Sequence, residues 1–364
     1  MTSFIDGSAV TALQEATRTV REWASNARGL GVALVYGPVS AEDRLYNSQC
    51  PEDQRSVTAL SETLEGIDAR WKVLNPCDPG FIEELAAGYD VALSNLHGPY
   101  GEDGRLQGLL DYLRMPYCGS GVAASAVAAD KILCKRVMVT LGIPTPPWWV
   151  WSGGAPKWDH HPVMVKPPLG GSSVGMSLVT TAAELQPAIL RAAGPESDEV
   201  LVEDYFPGTP LTVGMLELPG GDVVVFPPLA TEATEAAFYD ADTKLDADSR
   251  GAVRVREADL SPKAQAAITR SSTVLWDRLG LRGAARIDFI LTEDGLLYAL
   301  EVNSTPGMSR ESNFVVGAAK VGFTHSDVVL AMLHEAMARP PYDVPLPTPV
   351  FSSTLRNREA DDSL

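Results

Sequence analysis

Apolar and polar positions along this chain follow distinct periods, and each marks a different kind of element. Gly31-Val-Ala-Leu-Val-Tyr36 is a short unbroken apolar run closed by Gly37-Pro38, the pattern of a strand buried on both faces of a parallel sheet. Asp90-Val-Ala-Leu-Ser-Asn95 repeats it, with a helix-like stretch at 52–66 and Trp71-Lys-Val-Leu between them. Strands alternating with helices up to about residue 128 predict an open α/β layer. In such layers ligands gather in the loops after strand C-terminal ends. Those loops hold Ser40-Ala-Glu42 and Leu96-His97-Gly98-Pro-Tyr-Gly-Glu102-Asp103-Gly104. Upstream, Val10, Leu13, Val20 and Trp23 recur at helical spacing, predicting an amphipathic helix over 9–28 that packs or dimerises rather than binds.

Period two dominates near the other end, in Arg286-Ile-Asp288-Phe-Ile-Leu-Thr-Glu-Asp294-Gly295-Leu-Leu-Tyr-Ala-Leu-Glu301-Val-Asn303. Asp294-Gly295 between β-rich runs predicts a hairpin with a two-residue turn. That register sets Asp288 opposite Glu301 and Arg286 opposite Asn303, all four side chains on one face. Ile287, Phe289 and Leu291 then meet Val302, Leu300 and Tyr298 on the other face, as a core. Two carboxylates directly across a ladder repel unless a cation lies between them. Two carboxylates and an amide suit Mg²⁺, which commonly holds substrate phosphates as well. Two readings stay open from these residues alone. One is a metal site; the other is a solvated edge whose carboxylates Arg286 neutralises.

Between these regions, a proline-rich connector, Ile143-Pro-Thr-Pro-Pro-Trp, separates a helix at 130–141 from a β-rich layer. Within that layer a strand ending at Lys166 runs into Gly170-Gly171-Ser172-Ser173-Val174-Gly175. Glycine amides and serine hydroxyls can wrap an anionic oxygen cluster to which lysine adds charge. A plain flexible turn would look the same, and the G-K-[ST] of a Walker A loop is absent. Another strand is predicted over 200–208, then strands at 213–218 and 222–226, a polar lid-like loop at 231–252, and a helix at 261–279. Two helices follow near 313–321 and 325–338, and a proline-rich, then charged tail begins at 340.

Composition narrows the field. At 364 residues with 45% hydrophobic and 21% charged content, the chain predicts two or three globular domains. A net charge of −18 argues against nucleic acid and anionic membrane surfaces as partners. The opening Met-Thr-Ser-Phe-Ile-Asp-Gly has no signal-peptide character, no apolar run approaches a membrane span, and the four cysteines are scattered. A cytoplasmic protein is the expectation.

Taken in order, certain strings resemble the D-alanine–D-alanine ligases of the ATP-grasp superfamily, over about residues 31–335. They are His97-Gly-Pro-Tyr-Gly-Glu-Asp-Gly, Gln107-Gly-Leu-Leu, Pro116-Tyr-Cys-Gly-Ser-Gly-Val, Asp130-Lys131, Lys166 with Gly171-Ser-Ser-Val-Gly, and Glu301-Val-Asn303 with Pro306-Gly-Met. The resemblance implies an α/β (α+β ATP-grasp) fold: an N-terminal open parallel-sheet domain at 31–128, then central and C-terminal ATP-grasp domains at 129–212 and 213–339. A helical extension at 1–30 and a disordered tail at 340–364 flank them. It also implies ATP, two Mg²⁺ ions (with Mn²⁺ as a substitute), amino-acid substrates and a homodimer. By the same resemblance Lys131 and Lys166 contact phosphate, with Gly171, Ser172, Ser173 and Lys244 on the nucleotide as well, and Glu203 sits at the adenine hinge. Asp288, Glu301 and Asn303 match the metal ligands. Arg286 and the backbone of Gly307 match the groups that stabilise a tetrahedral intermediate. Glu42 matches the carboxylate that holds the first amino acid's ammonium, with His97 beside it and Ser172 linked to it. Ser312 matches the hydroxyl for the second amino acid's carboxylate.

Departures from the pattern concern substrate choice. Leu245 follows Lys244 where a tyrosine is usual, and Pro210 replaces a ribose-binding glutamate. Glu311-Ser312-Asn313 stands where His-Ser-Leu is typical, giving a more polar and acidic acceptor pocket. The expectation is a ligase of altered acceptor specificity. The alternatives are an ordinary D-alanine–D-alanine ligase and a non-catalytic nucleotide-binding regulator, the latter disfavoured by the intact set of candidate residues.

Overall fold

The computed structural model describes residues 2–39, 44, 48, 50–170, 174–194, 199–233 and 253–339. Three sheets organise it. A short strand, β1 (Phe4–Asp6), precedes the first, which is parallel with order β3-β2-β4: β2 (Gly31–Val35), β3 (Arg70–Leu74) and β4 (Val91–Ser94). All five residues of β2 are buried, as an unbroken apolar run in a central parallel strand requires. The second sheet is antiparallel, in the order β5-β8-β6-β7: β5 (Trp148–Trp151), β6 (Val163–Lys166), β7 (Ser177–Val179) and β8 (Val200–Asp204). Val163, Val165, Val200 and Val202 share its core with the helix Ala182–Ala192. Alternation turns Lys166 and Glu203 to the opposite face.

The third sheet has seven strands: β1 again, with β9 (Gly208–Glu217), β10 (Val223–Val225), β11 (Leu229–Ala233), β12 (Val253–Glu257), β13 (Ala284–Thr292) and β14 (Leu297–Asn303). Strand β9, which begins five residues earlier than expected, carries β13 along one edge and β10 and β11 along the other. The expected polar loop at 231–252 contributes its first residues to β11, and its remainder lies outside the described residues.

The N-terminal helix forms over Val10–Ala27, but Val10 is 65% exposed. Its buried stripe is Leu13, Ala16, Val20 and Ala27, set against the helix His325–Ala338. Sequence periodicity missed β1, which pairs in parallel with β10 (Phe4 with Val223, Asp6 with Val225). No single helix among the described residues is long and apolar enough to cross a membrane.

Candidate active site

The β13–β14 hairpin forms with Arg286 opposite Asn303 and Asp288 opposite Glu301, in the expected register. Nearer the turn the register differs. Phe289 faces Ala299 and Leu291 faces Leu297, so Leu300 is the extra residue of a β-bulge. The turn is one residue longer than two, with Thr292 N donating to Leu296 O and Gly295 in the left-handed region at φ +81°. One added residue in the loop and one in the strand cancel, which restores the predicted pairing at the functional end. Ala299 therefore takes the buried place expected of Leu300, and Tyr298 stacks on Phe206 at 4.8 Å between ring centres.

Asp288 is the hub of this face. Arg286 donates to it from Nε at 3.0 Å and from Nη2 at 2.9 Å, Asn303 Nδ2 at 3.1 Å, and Thr212 Oγ1 at 2.6 Å. Burial draws the Arg286 pKa down, but Asp288, with help from Glu301 and Glu102, more than offsets this and the net shift is upward. The guanidinium is a permanent cation. Asp288, Glu301 and Asn303 present two carboxylates and an amide on one face, an all-oxygen set that fits a hard divalent ion. Arg286 and the ion would share Asp288.

Loops from all three sheets close over this face. Lys131, Gly170, Arg286, Glu301 and Asn303 line one cleft with Glu102 and Ser304. Lys131 opens the helix Lys131–Thr140, capped by the Asp130 carboxylate, which accepts from Ile132 N and Leu133 N. Its ammonium donates to Gly170 O at 2.5 Å. Desolvation lowers its pKa, with Glu301 acting against that trend. His97 Nδ1 lies 3.3 Å from Glu102 Oε1, and Gly98 N donates to Glu102 Oε2 at 3.1 Å. Glu102 sits in a motif the sequence singled out, though its own side chain carried no predicted role.

Lys166 pairs with Glu203 on the face of the second sheet opposite its valine core. Lys135, which sequence reading passed over, reaches the same carboxylate at 2.6 Å and Thr145 Oγ1 at 2.5 Å. Burial alone would raise the Glu203 pKa, but Lys166 and Lys135 overcome it and hold the carboxyl below its ordinary range. The one available signal was spacing. Lys131 and Lys135 are four apart on one helix, so both project from the same side.

Ser312 donates to Gly307 O at 2.6 Å and caps the helix Asn313–Lys320 by accepting from Val315 N. Next to it Glu311 is exposed and Asn313 half-buried. The structure thus gathers Lys131, Arg286, Asp288, Glu301 and Asn303 at one cleft, with Lys166 and Glu203 on the neighbouring sheet face. Glu42, Gly171, Ser172, Ser173, Lys244 and Leu245 lie outside the described residues.

The chain is similar to known proteins over most of its length. The family model described as D-ala D-ala ligase N-terminus matches residues 32–120, and that described as D-ala D-ala ligase C-terminus matches 151–334. The D-alanine–D-alanine ligase of Nitratidesulfovibrio vulgaris is 36% identical over 310 residues, covering 84% of this chain and 98% of that protein. Among solved structures, D-alanyl-alanine synthetase A from Vibrio cholerae superposes with a TM-score of 0.75 at 26% identity, over 86% of this chain and 99% of that one. The Bacillus anthracis D-alanine–D-alanine ligase, solved in complex with ATP, shares the fold with a TM-score of 0.68 at 24% identity, over 85% of this chain and 98% of its own.

Proposed function

The chain belongs to the D-alanine–D-alanine ligase family, and we propose that it joins two amino acids through an acyl phosphate, with an acceptor other than D-alanine. It is an ATP-grasp ligase, of a family that uses ATP and a divalent metal. The observation that carries the chemistry is the convergence of Arg286, Asp288, Glu301, Asn303 and Lys131 on one cleft.

A free carboxylate is a poor acyl donor. In the proposed first step a donor carboxylate oxygen attacks the γ-phosphorus of ATP, and ADP leaves. Asp288, Glu301 and Asn303 would hold two Mg²⁺ ions, whose charge offsets that on the phosphoryl oxygens. Lys131 and Lys166 add positive charge at the phosphates, Glu203 sits at the adenine hinge, and Gly171, Ser172, Ser173 and Lys244 complete the nucleotide contacts. Glu42 and His97 orient the donor's ammonium. In the second step the acceptor's amine attacks the carbonyl carbon, phosphate leaves, and the amine's surplus proton is lost to solvent. Arg286 and the Gly307 N–H stabilise the oxyanion between those events, and Ser312 binds the acceptor carboxylate by turning its one hydroxyl hydrogen to it from Gly307 O. Donors fixed in advance are what make that step fast.

Support for the altered acceptor is local. Glu311 adds a negative charge beside Ser312, and Asn313 a polar group, where the family typically places His and Leu. Both favour an acceptor larger or more cationic than D-alanine. Purified protein with ATP, Mg²⁺ and an amino-acid panel, read by mass spectrometry of the ligated product, tests this. D-alanine as by far the best single substrate overturns the altered acceptor and leaves an ordinary D-alanine–D-alanine ligase. Glu311→His is expected to shift acceptor preference toward smaller, neutral amino acids, and an unchanged profile counts against the pocket. A homodimer is part of the same reading, checked by light scattering.

A further inference from the structure

Three consecutive carbonyls in the loop after β14 are each held by a side chain from a different place in the fold. Asn95, just past β4 and 1% exposed, donates from Nδ2 to Pro306 O at 3.1 Å. Ser312 Oγ donates to Gly307 O at 2.6 Å. His325 Nε2 donates to Met308 O at 2.8 Å, while its Nδ1 lies 2.7 Å from Thr63 Oγ1. A carbonyl oxygen only accepts, so each partner must present a hydrogen, which fixes the orientation of the Asn95 amide and places a proton on His325 Nε2.

The peptide unit is planar and trans, so the Pro306 C=O and the Gly307 N–H point in opposite directions from one rigid plane. A side chain that holds the first aims the second. We propose that Asn95 is a positioning residue for amide-bond formation, fixing the direction of the Gly307 N–H so that it meets the oxyanion. The proposal rests on the acyl-phosphate reading above, and it deepens that reading by tying the oxyanion donor to the first sheet. Asn95 N itself donates to Val35 O at 3.2 Å, so the anchor is continuous with the buried strand β2.

The test uses the full chain with its best donor and acceptor, counting phosphate and dipeptide in the same reaction. Loss of an oxyanion donor costs roughly 100- to 1000-fold, and misaiming one should cost about tenfold in kcat for dipeptide. Asn95→Leu is expected to show that loss with KM for ATP unchanged. Phosphate released per dipeptide should rise well above one, because the waiting acyl phosphate goes to water. A folded Asn95→Leu enzyme with a one-to-one ratio and wild-type kcat overturns the proposal. Asn95→Asp decides the matter if the leucine variant does not fold. A protonated carboxyl can donate to Pro306 O and a carboxylate cannot, so the ratio of variant to wild-type kcat should fall as pH rises through the carboxyl range. A flat ratio overturns the proposal as well. Hydroxylamine separates this failure from that of the parent reading. Wild-type enzyme with ATP and donor alone should yield a hydroxamate, and its absence would remove the acyl phosphate and this inference together.

Discussion

Lys135 and Glu203 form an ion pair at 2.6 Å with side chains only 1% and 3% exposed, on the sheet face that also carries Lys166. Two lysines on one carboxylate leave a net positive charge inside the protein. Burial lowers the Lys135 pKa, Glu203 opposes the fall, and the net direction is down. Lys135→Met would leave Glu203 to Lys166 alone. Breaking a buried pair typically costs about 3–5 kcal/mol, and the surviving lysine puts this case near the lower end. A clear drop in melting temperature is expected, with a raised KM for ATP because Glu203 and Lys166 are free to shift. Lys135→Met combined with Glu203→Gln should destabilise by less than the two single changes summed, and additive losses would show that the pair is not coupled.

In the proposed site Arg286 would compete with metal for Asp288. Its guanidinium holds both carboxylate oxygens, at 3.0 Å from Nε and 2.9 Å from Nη2. Arg286→Met would remove that competitor and, on the proposed mechanism, a donor to the oxyanion. The two effects have opposite signs and can be read separately. Mn²⁺ binding followed by paramagnetic resonance in the absence of nucleotide should tighten, while turnover falls by roughly 100- to 1000-fold. Weaker Mn²⁺ binding in the variant would mean that the arginine supports the site rather than occupies it.

The hairpin shows how far local pattern carries. Alternation and Asp294-Gly295 placed Arg286, Asp288, Glu301 and Asn303 on one face in the register found. They misplaced Leu300 and Tyr298, because a left-handed Gly295 suits a three-residue loop as well as a two-residue one. Side chains whose role depends on distant contacts were not legible. Lys135 reads locally as a solvated helix lysine, and only the neighbouring sheet buries it. Asn95 meets Pro306 across 211 positions of chain, and Thr212 meets Asp288 across 76. The strand Phe4–Asp6 is three residues long, too short to show any period.

His325 gives the stability of this fold a pH dependence of known sign. Burial and, more weakly, Arg310 lower its pKa, the hydrogen bond to Met308 O and the Glu62 charge oppose them, and the net direction is down from the ordinary 6.5. Below pH 6.5 the unfolded chain takes up a proton that the folded chain resists. Stability from this group is therefore full above that value and shrinks as pH falls toward the folded-state pKa. Unfolding midpoints measured by calorimetry from about pH 8 to 5 should fall at the acid end. His325→Gln should flatten the fall but not abolish it, because burial lowers His334 in the same direction. Equal slopes in the two proteins would rule out His325 as the source.

The N-terminal extension lies outside the residues that the family models match, yet Arg21 is bonded to the family core. Its Nε and Nη2 reach the two oxygens of Asp327 at 2.8 Å each. Asp327 is 3% exposed and also accepts from Thr324 N and Oγ1, closing the capping box of the helix His325–Ala338. Arg21 is 55% exposed, so solvent screens much of its charge and the pair itself contributes about 1 kcal/mol at most. The apolar stripe of Leu13, Ala16 and Val20 contributes more, since fully burying a leucine or valine stabilises by about 1.5–3 kcal/mol. Arg21→Ala should lower the melting temperature by about 2–4 °C, and Leu13→Ala by about twice as much or more. Neither residue lines the cleft at Arg286 and Glu301, so kcat and KM for ATP should stay at wild-type values below the melting transition. A loss of activity in a folded Arg21→Ala enzyme would instead show that the extension communicates with the loop that His325 holds at Met308.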